Sequence, residues 1–250
     1  MKLARHSVVI CLLPLVCALS QARGQEKLNV PPPGFTALFN GNDLTGWKGI
    51  PLKQNAKKAG SYSAMTMPER LKASPEELAA AQKLGDQSAH EHWKAENGII
   101  VFDGKGQNLC TEKDYGDFEL YVDWKIEQKG DSGIYLRGTP QIQIWDPFTS
   151  PNLATGEQWG SGGVFNNQKN PKEPLVMADK PIGQWNTFWI KIIGDKVTVK
   201  LNGPTVADFV TMENYWERNS PLYEKGTIEL QNHGNTLYFR NIYVKELRRQ

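Results

Sequence analysis

The sequence predicts an all-β sandwich or jelly roll with one helix inserted near its start. Many short apolar or alternating runs follow one another from Trp93 onward, with turn residues between most of them. Only one cysteine, Cys110, lies beyond the first two dozen residues, so apolar burial rather than disulfide bonds must hold the fold together. The remaining length is ordinary for a single all-β domain.

The first 24 residues have the pattern of a secretory signal peptide. Lys2 and Arg5 precede the apolar run 8–19, which is too short to span a membrane, and small residues follow it. We expect cleavage near Gly24, with Ser20 as the alternative, and a protein exported to the periplasm or the extracellular space. The predicted organisation is therefore a signal peptide over 1–24, a linker over 25–34 and a single domain over 35–250.

Charge argues against a nucleic-acid partner. The chain has 29 Lys and Arg against 27 Asp and Glu, a net charge of +2. Removal of Lys2, Arg5 and Arg23 with the signal peptide leaves 26 against 27, a net charge of −1. A near-neutral chain without a Lys/Arg run lacks the electrostatic basis for binding nucleic acid.

The front of the predicted domain contains the inserted helix. A proline-rich lead-in is followed by a short apolar strand at 35–39. Ser74 is then a typical N-cap residue, with Pro75 at the first helical position and Glu77 at the third. Together with the Leu and Ala residues that follow, this pattern predicts a helix over 75–90.

The rest of the domain is predicted to consist of strands. Residues 118–126 alternate between Phe118, Leu120, Val122 and Trp124 on one face and polar residues or Tyr on the other. Further strands are predicted at 98–102, 134–137, 141–145, 187–193, 197–201, 227–231 and 237–244. The glycine-rich stretch at 160–163 and the residues to about 181 are predicted to form a long loop, a kind of segment that is usually functional.

Several strands have unusual residues on the face opposite the core. That set combines amides, aromatic rings, a guanidinium, a carboxylate and an imidazole: Tyr135, Arg137, Gln141, Gln143, Trp145, Glu229, Gln231 and His233. Sugars need such a mixture, because polar groups bind their hydroxyls and flat rings cover their C–H faces. The alternative is a solvated sheet face with cross-strand pairs, although such a face usually favours Lys, Glu, Thr and Ser.

Familiar catalytic motifs are missing from the sequence. It contains no Gly-x-Ser-x-Gly elbow and no phosphate-binding loop. The stretch 117–123 does not match the Glu-x-Asp-x-x-Glu pattern of jelly-roll glucanases, which disfavours a two-carboxylate retaining mechanism. His90 and His92 are two residues apart rather than four, so they do not form the His-Glu-x-x-His zinc motif.

Several sequence blocks are spread over about 35–247: Phe35-Thr36-Ala37-Leu38-Phe39-Asn40-Gly41 with Leu44 and Trp47, Asp117 to Leu120, Asp131 to Arg137, Trp185-Asn186, Leu201 to Gly203, Ile228 to Gly234 and Phe239 to Ile242. Together these blocks resemble the 3-keto-disaccharide hydrolase family, formerly a domain of unknown function. The resemblance implies a concanavalin A-like jelly-roll sandwich of two antiparallel sheets and an exported bacterial protein. One departure marks a subgroup: Gln141 stands where many members have Glu, so an amide replaces a carboxylate.

The resemblance also implies a substrate and a chemistry. The substrate is a sugar already oxidised at C3 by a separate sugar 3-dehydrogenase, and the ketone acidifies the hydrogen on C2. A base can remove that proton, the C1 oxygen can leave, and water can then add back. We expect His233 as base or acid, Arg137 at the ketone or enolate oxygen, and Glu229 or Asp146 as the second acid/base.

The remaining expectations concern binding and cofactors. Tyr135, Gln141, Gln143, Gln231 and Asn166 are expected to bind substrate, and Trp145 to stack on a sugar ring. No cofactor is evident; a divalent metal could polarise the ketone, but no cluster of ligands in the sequence indicates one. The rival interpretations are a non-catalytic, lectin-like carbohydrate-binding module and a cell-surface scaffold, because the same polar face and fold could serve any of the three.

Overall fold

A computed structural model describes residues 27–55, 58, 61–149 and 151–248. The signal peptide predicted over 1–24 lies outside the described residues. The strands are β1 (Thr36–Ala37), β2 (Trp47–Gly49), β3 (Leu52–Gln54), β4 (Tyr62–Ala64), β5 (Trp93–Glu96), β6 (Ile99–Phe102), β7 (Leu109–Thr111), β8 (Phe118–Ile126), β9 (Asp131–Tyr135), β10 (Gln141–Trp145), β11 (Asn186–Ile193), β12 (Lys196–Leu201), β13 (Thr205–Thr211), β14 (Glu229–Leu230) and β15 (Leu237–Glu246). The helices are α1 (Met67–Lys72) and α2 (Pro75–His92), with a 3₁₀ turn at Glu157–Trp159.

Two antiparallel sheets form the body of the domain. The larger has the order β13-β12-β11-β8-β15-β6-β5, with β1 also paired to β15, and the smaller has the order β10-β9-β14-β7-β2. One continuous core lies between them, in which Leu120 and Trp124 of β8 share a cluster with Ile134 of β9 and Ile142 of β10. The predicted jelly-roll sandwich is therefore confirmed, and the core holds it together without a disulfide among the described residues, where Cys110 is a buried free thiol.

The insert closes the edge of the smaller sheet. Its helix α2 begins at the predicted residue, where Ser74 accepts a hydrogen bond from the Glu77 backbone, and runs two residues beyond the predicted end. Gly49 of the edge strand β2 and Gly85 of α2 let the backbones of the strand and the helix approach so closely that a Cβ on either glycine would overlap the backbone of the other segment. The side chain of Gln82 donates to the Gly49 carbonyl at 2.7 Å, so the helix covers the unpaired edge.

The insert also contains a second helix that the sequence pattern did not predict. Helix α1 is short and is preceded by the N-cap residue Thr66, whose backbone N–H and hydroxyl both donate to the Glu69 carboxylate. Its Met67 side chain lies against Gly138, just beyond β9. This contact places α1 beside the outer face of the smaller sheet.

Strand prediction succeeded where alternation was strong. Strands β8 and β10 have the predicted bounds, and β11, β12 and β15 differ from theirs by one or two residues. Strand β9 ends at Tyr135, two residues before the predicted end.

The N-terminal stretch is partly docked on the domain rather than a plain linker, because Asn29 exchanges backbone–side-chain hydrogen bonds with Asn241. No helix within the described part of the chain is long and apolar enough to cross a membrane.

Candidate functional site

The outer face of the smaller sheet, hereafter the polar face, carries most of the predicted site residues. The register places Gln141 opposite Tyr135, Tyr135 opposite Glu229, and Glu229 opposite Cys110, so these four residues form one row across the sheet. The intervening residues, such as Ile134 and Ile142, belong to the core. Strand alternation therefore places Asp131, Gln143 and Trp145 on the polar face as well.

A chain of hydrogen bonds runs along this face to an imidazole. Gln141 donates to the side-chain carbonyl of Gln143, and Gln143 Nε2 donates to Asp131 Oδ1 at 2.7 Å. The other carboxylate oxygen, Oδ2, lies 3.2 Å from His233 Nδ1. A Cβ at Gly133 would collide with the Gln141 side chain, so glycine provides the space in which this chain is built.

Asp131 and His233 open onto a cleft at the end of the sheet. Its volume is about 320 Å³, within the usual range for small ligands. The lining residues are Lys129, Gly130, Asp131, Asp146, Thr149, Glu157, His233 and Asn235. His233 is the more accessible partner of this pair, with 57% of its side chain exposed against 26% for Asp131. Because Nδ1 of the ring faces Asp131, Nε2 is the nitrogen that this pair leaves for a ligand in the cleft.

The pKa values of two carboxyl groups in the cleft are shifted in opposite directions. Burial raises the pKa of Asp131, and the neighbouring His233 and the Gln143 donor oppose that rise. At Asp146 burial also acts to raise the pKa, but the backbone N–H groups of Lys129, Phe148 and Thr149 donate to its oxygens and hold the pKa below its usual value. Asp146 therefore lies in the cleft as a firmly ionised carboxylate.

Glu229 lies further along the polar face and is paired with Arg70, which was not predicted from the sequence as a site residue. Arg70 of α1 places Nη2 at 2.7 Å from Glu229 Oε1, and the two side chains are 11% and 2% exposed. Thr227 donates to the same oxygen at 2.9 Å, and Asn108 donates to the other at 3.2 Å. Glu229 is thus an acceptor for three donors and fixes the position of Arg70.

Tyr135 is the neighbour of Glu229 on β9. Burial, followed by the charge of Glu229, raises the pKa of its phenol, so the hydroxyl remains a donor. Gln231 Nε2 donates to this hydroxyl oxygen at 3.4 Å. The predicted substrate-binding residues Tyr135 and Gln231 are therefore brought together, with Arg70 beside them through Glu229.

The predicted placement of Arg137 on the polar face is wrong. Strand β9 has already ended, and Arg137 adopts a positive φ of 58°, which turns its side chain away from the alternation. The guanidinium is buried, 2.6 Å from Asp117 Oδ1, and donates to the Gly116 and Gly194 carbonyls at 2.8 and 2.9 Å. It joins loops of the sandwich and does not line the cleft.

Trp145 and Asn166 are also occupied within the protein. Trp145 is buried, donates its indole N–H to Gly160 O at 2.7 Å and packs edge-on against Phe165. Asn166 accepts from the backbone N–H of Gln141 at 2.8 Å and so caps the edge strand. The predicted long loop therefore covers β10, and Trp145 does not present an open ring for stacking.

Sequence reasoning missed Asp131 and Arg70. Asp131 could have been found by extending the alternation of β9 two residues back from Gly133. Arg70 gave no local signal, because its contact with the sheet joins residues 159 positions apart. Among the described residues, no group of three or more His, Cys, Asp and Glu side chains is arranged to hold a metal ion.

Comparison with known proteins agrees with the resemblance noted in the sequence. A 3-keto-disaccharide hydrolase from Bacteroides thetaiotaomicron is 22% identical over 88% of this chain and 81% of its own length. Two crystal structures of Parabacteroides distasonis proteins named as glycosyl hydrolases share the fold, each at 22% sequence identity. The first has a TM-score of 0.62, and the match covers 89% of this chain and 100% of that protein. The second has a TM-score of 0.59, and the match covers 86% of this chain and 85% of that protein. The model of the 3-keto-alpha-glucoside-1,2-lyase-like domain matches residues 34–245, so the chain belongs to that family.

Proposed function

We propose that the protein is an exported enzyme that cleaves the glycosidic bond of 3-keto-glycosides or 3-keto-disaccharides by elimination followed by hydration. The observation that carries the proposal is the His233–Asp131 pair, 3.2 Å apart, at a cleft of about 320 Å³ on the polar face. A carboxylate on one ring nitrogen orients the imidazole and leaves the other nitrogen to exchange a proton with substrate. The family and the named activity of the Bacteroides relative support this chemistry.

The reaction begins with transfer of the C2 proton to His233 Nε2. The electrons of the C–H bond form an enolate with the C3 ketone, and its collapse breaks the C1–O bond and leaves a C1=C2 double bond conjugated to the ketone. The departing oxygen takes a proton, for which protonated His233 is the donor. Water then adds to C1 while a proton returns to C2, so cleavage consumes one water overall.

The other cleft residues supply charge and orientation. Lys129 is the one lysine or arginine among the described residues that line the cleft, and we assign it to the enolate oxygen in place of Arg137. Asp146, with its lowered pKa, remains ionised and serves as the base that orients water for the hydration step. Glu229, expected as a second acid/base, instead holds Arg70. The substrate must arrive already oxidised at C3, which requires a sugar 3-dehydrogenase upstream.

The decisive assay compares a keto sugar with its parent. Purified protein is incubated with 3-keto-trehalose or an aryl 3-keto-glucoside, and with the unoxidised compound, while release of the aglycone or second sugar is followed. Release from the keto form alone is the expected result. No release from either, with measurable binding of a glycan, would instead establish the lectin-like module.

Variants then test the residue roles. His233→Ala should lower kcat by roughly 10²–10⁴-fold, the usual effect of losing one acid/base group. Asp131→Asn should lower kcat less, because the imidazole remains but loses its orienting carboxylate. His90→Ala, on the exposed side of α2, is the matched control. Full activity of His233→Ala would remove the imidazole from the mechanism.

We further propose export, on the basis of the charged start, apolar run and small residues before Gly24. The full chain should be recovered from the periplasm or medium of a bacterial host. Its N-terminus should begin near Gly24 or, in the alternative, near Ser20. Recovery of an unprocessed chain from the cytoplasm would refute this part of the proposal.

A further inference from the structure

The polar face contains a second group of side chains, away from the cleft, whose hydrogen-bonding capacity the fold leaves unused. Arg70 Nε and Gln231 Oε1 are buried and have no hydrogen-bond partner among the described residues. The hydroxyl of Tyr135 accepts from Gln231 Nε2, and no described residue accepts its proton. A folded protein normally pairs its buried polar groups, so a donor and an acceptor left over at the same place call for an explanation.

These atoms lie close together because three elements converge on Glu229. Arg70 reaches Glu229 from α1 at 2.7 Å, Tyr135 is opposite Glu229 in the register, and Gln231 is two residues further along the chain. The Arg70 charge is balanced by Glu229, so the group is locally neutral. A guanidinium N–H, a phenol O–H and an amide C=O match a neutral polyol better than an anion.

The group around Tyr135 lies at a distance from the cleft that suits the second ring of a disaccharide. Asp131 and Tyr135 are four residues apart on the same face of β9, about 13 Å at the usual strand rise. The side chains of Tyr135 and of His233, which is paired with Asp131, can span this separation to contact the two rings of one disaccharide. Between them lies Gly133, which adds no side chain to the face, and the neighbouring Gln141 and Gln143 side chains are buried.

We propose that Arg70, Tyr135 and Gln231 form a second sugar subsite, which binds the hydroxyls of the leaving sugar while the oxidised ring lies against His233. This inference rests on the proposed function for the identity of the reacting ring. It makes the insert, through α1, a determinant of specificity for disaccharides over glycosides with a non-sugar leaving group.

The test is a selectivity ratio rather than an activity. The kcat/KM for 3-keto-trehalose is divided by that for 4-nitrophenyl 3-keto-glucoside, whose aryl group has no hydroxyls to bind. Gln231→Leu should lower this ratio about tenfold, the effect of losing one typical hydrogen bond in a buried site. Arg70→Met with Glu229→Gln should lower it further. Lys129→Ala should leave the ratio unchanged, because the enolate oxygen to which Lys129 is assigned is common to both substrates.

Folding is controlled separately. Gln231→Leu removes a carbonyl oxygen that has no partner and the long, 3.4 Å hydrogen bond from Nε2 to Tyr135, so its thermal midpoint should stay close to that of the wild type. Gln87→Leu, the same change at an exposed position on α2, is the matched control. An unchanged selectivity ratio in Gln231→Leu and in the double variant would overturn the subsite.

Failure of the proposed function gives a different result. If the wild type cleaves neither keto substrate, binding of unoxidised trehalose is measured by calorimetry for the wild type and Gln231→Leu. Weaker binding by the variant would support the subsite in a non-catalytic protein. Equal binding by both would refute the subsite as well.

Discussion

Replacement of Arg137 by Met tests whether this arginine is structural, as its contacts indicate, or catalytic, as its position in the sequence suggested. Arg137 and Asp117 are 2.6 Å apart with side chains only 2% and 3% exposed. Removing one partner of such a pair leaves an uncompensated buried charge, which costs about 3–5 kcal/mol. That is a large part of the roughly 5–15 kcal/mol that stabilises a typical domain.

The contacts of Arg137 explain why Lys cannot replace it. Its Nε and Nη atoms donate to Asp117 and to three backbone carbonyls, those of Gly116, Gly194 and Tyr223. Asp117 also accepts from the Gly194 backbone. A lysine ammonium lacks this planar fork, so Arg137→Lys should recover only part of the lost stability. Arg137→Met combined with Asp117→Asn should recover more than either single change, since no charge then remains buried.

Urea unfolding followed by tryptophan fluorescence measures the free energy of unfolding for these variants. Lys113→Met, which breaks an exposed pair with Glu246, is the control and should lie within the scatter of the wild type. Arg137→Met protein that is still folded should keep the wild-type kcat on a 3-keto-glucoside. Wild-type stability together with a hundredfold loss of kcat would refute the structural role.

Two further predictions concern the segments beside the site. Glu213 accepts from the side chain and backbone of Asn170 and from the backbones of Gln168 and Lys169; burial acts to raise its pKa, but these donors lower it from 4.5 to about 2. Its folded pKa is below its unfolded value, so the stabilisation is present above pH 4.5 and is lost as the pH falls through about 2. Glu213→Gln should therefore cost about 1.5–3 kcal/mol at pH 7, the usual contribution of hydrogen bonds to a charged group, and much less below pH 2, as denaturant titrations would show. Trp145→Phe should lose about 1–3 kcal/mol by leaving Gly160 O unpaired, whereas a stacking role would lower sugar affinity at unchanged stability.

The sequence predicted those parts of the fold that depend on local alternation. Strands β8 and β10 were placed correctly because each has an uninterrupted apolar face. The same rule failed at Arg137, two residues past the end of β9, because a single positive φ ended the alternation that a sequence pattern assumes to continue. Turn geometry of this kind depends on neighbours such as Gly138, and on contacts made far along the chain.

The candidate site was predicted in part, for the same physical reason. Tyr135, Gln143 and Gln231 were identified because each lies on a strand or directly beyond one, where alternation fixes the face. Arg70 belongs to an insert whose docking depends on long-range contacts, so its pairing with Glu229 could not be anticipated. Trp145 was placed on the correct face, but the loop that covers it has no periodicity from which its path could be predicted.

Gln141, the departure from the family pattern, acquires a physical role in the structure. Its amide N–H donates to Gln143 and to the Ser132 carbonyl, so Gln143 turns its own amide N–H toward Asp131. A carboxylate at 141 would accept from Gln143 instead and turn the Gln143 carbonyl toward the Asp131 carboxylate, which is repulsive. An amide at 141 thus leaves Gln143 as a hydrogen-bond donor to one oxygen of Asp131, while the other oxygen of Asp131 lies beside His233. The substitution therefore fits a site in which proton transfer depends on the Asp131–His233 pair rather than on a carboxylate at 141.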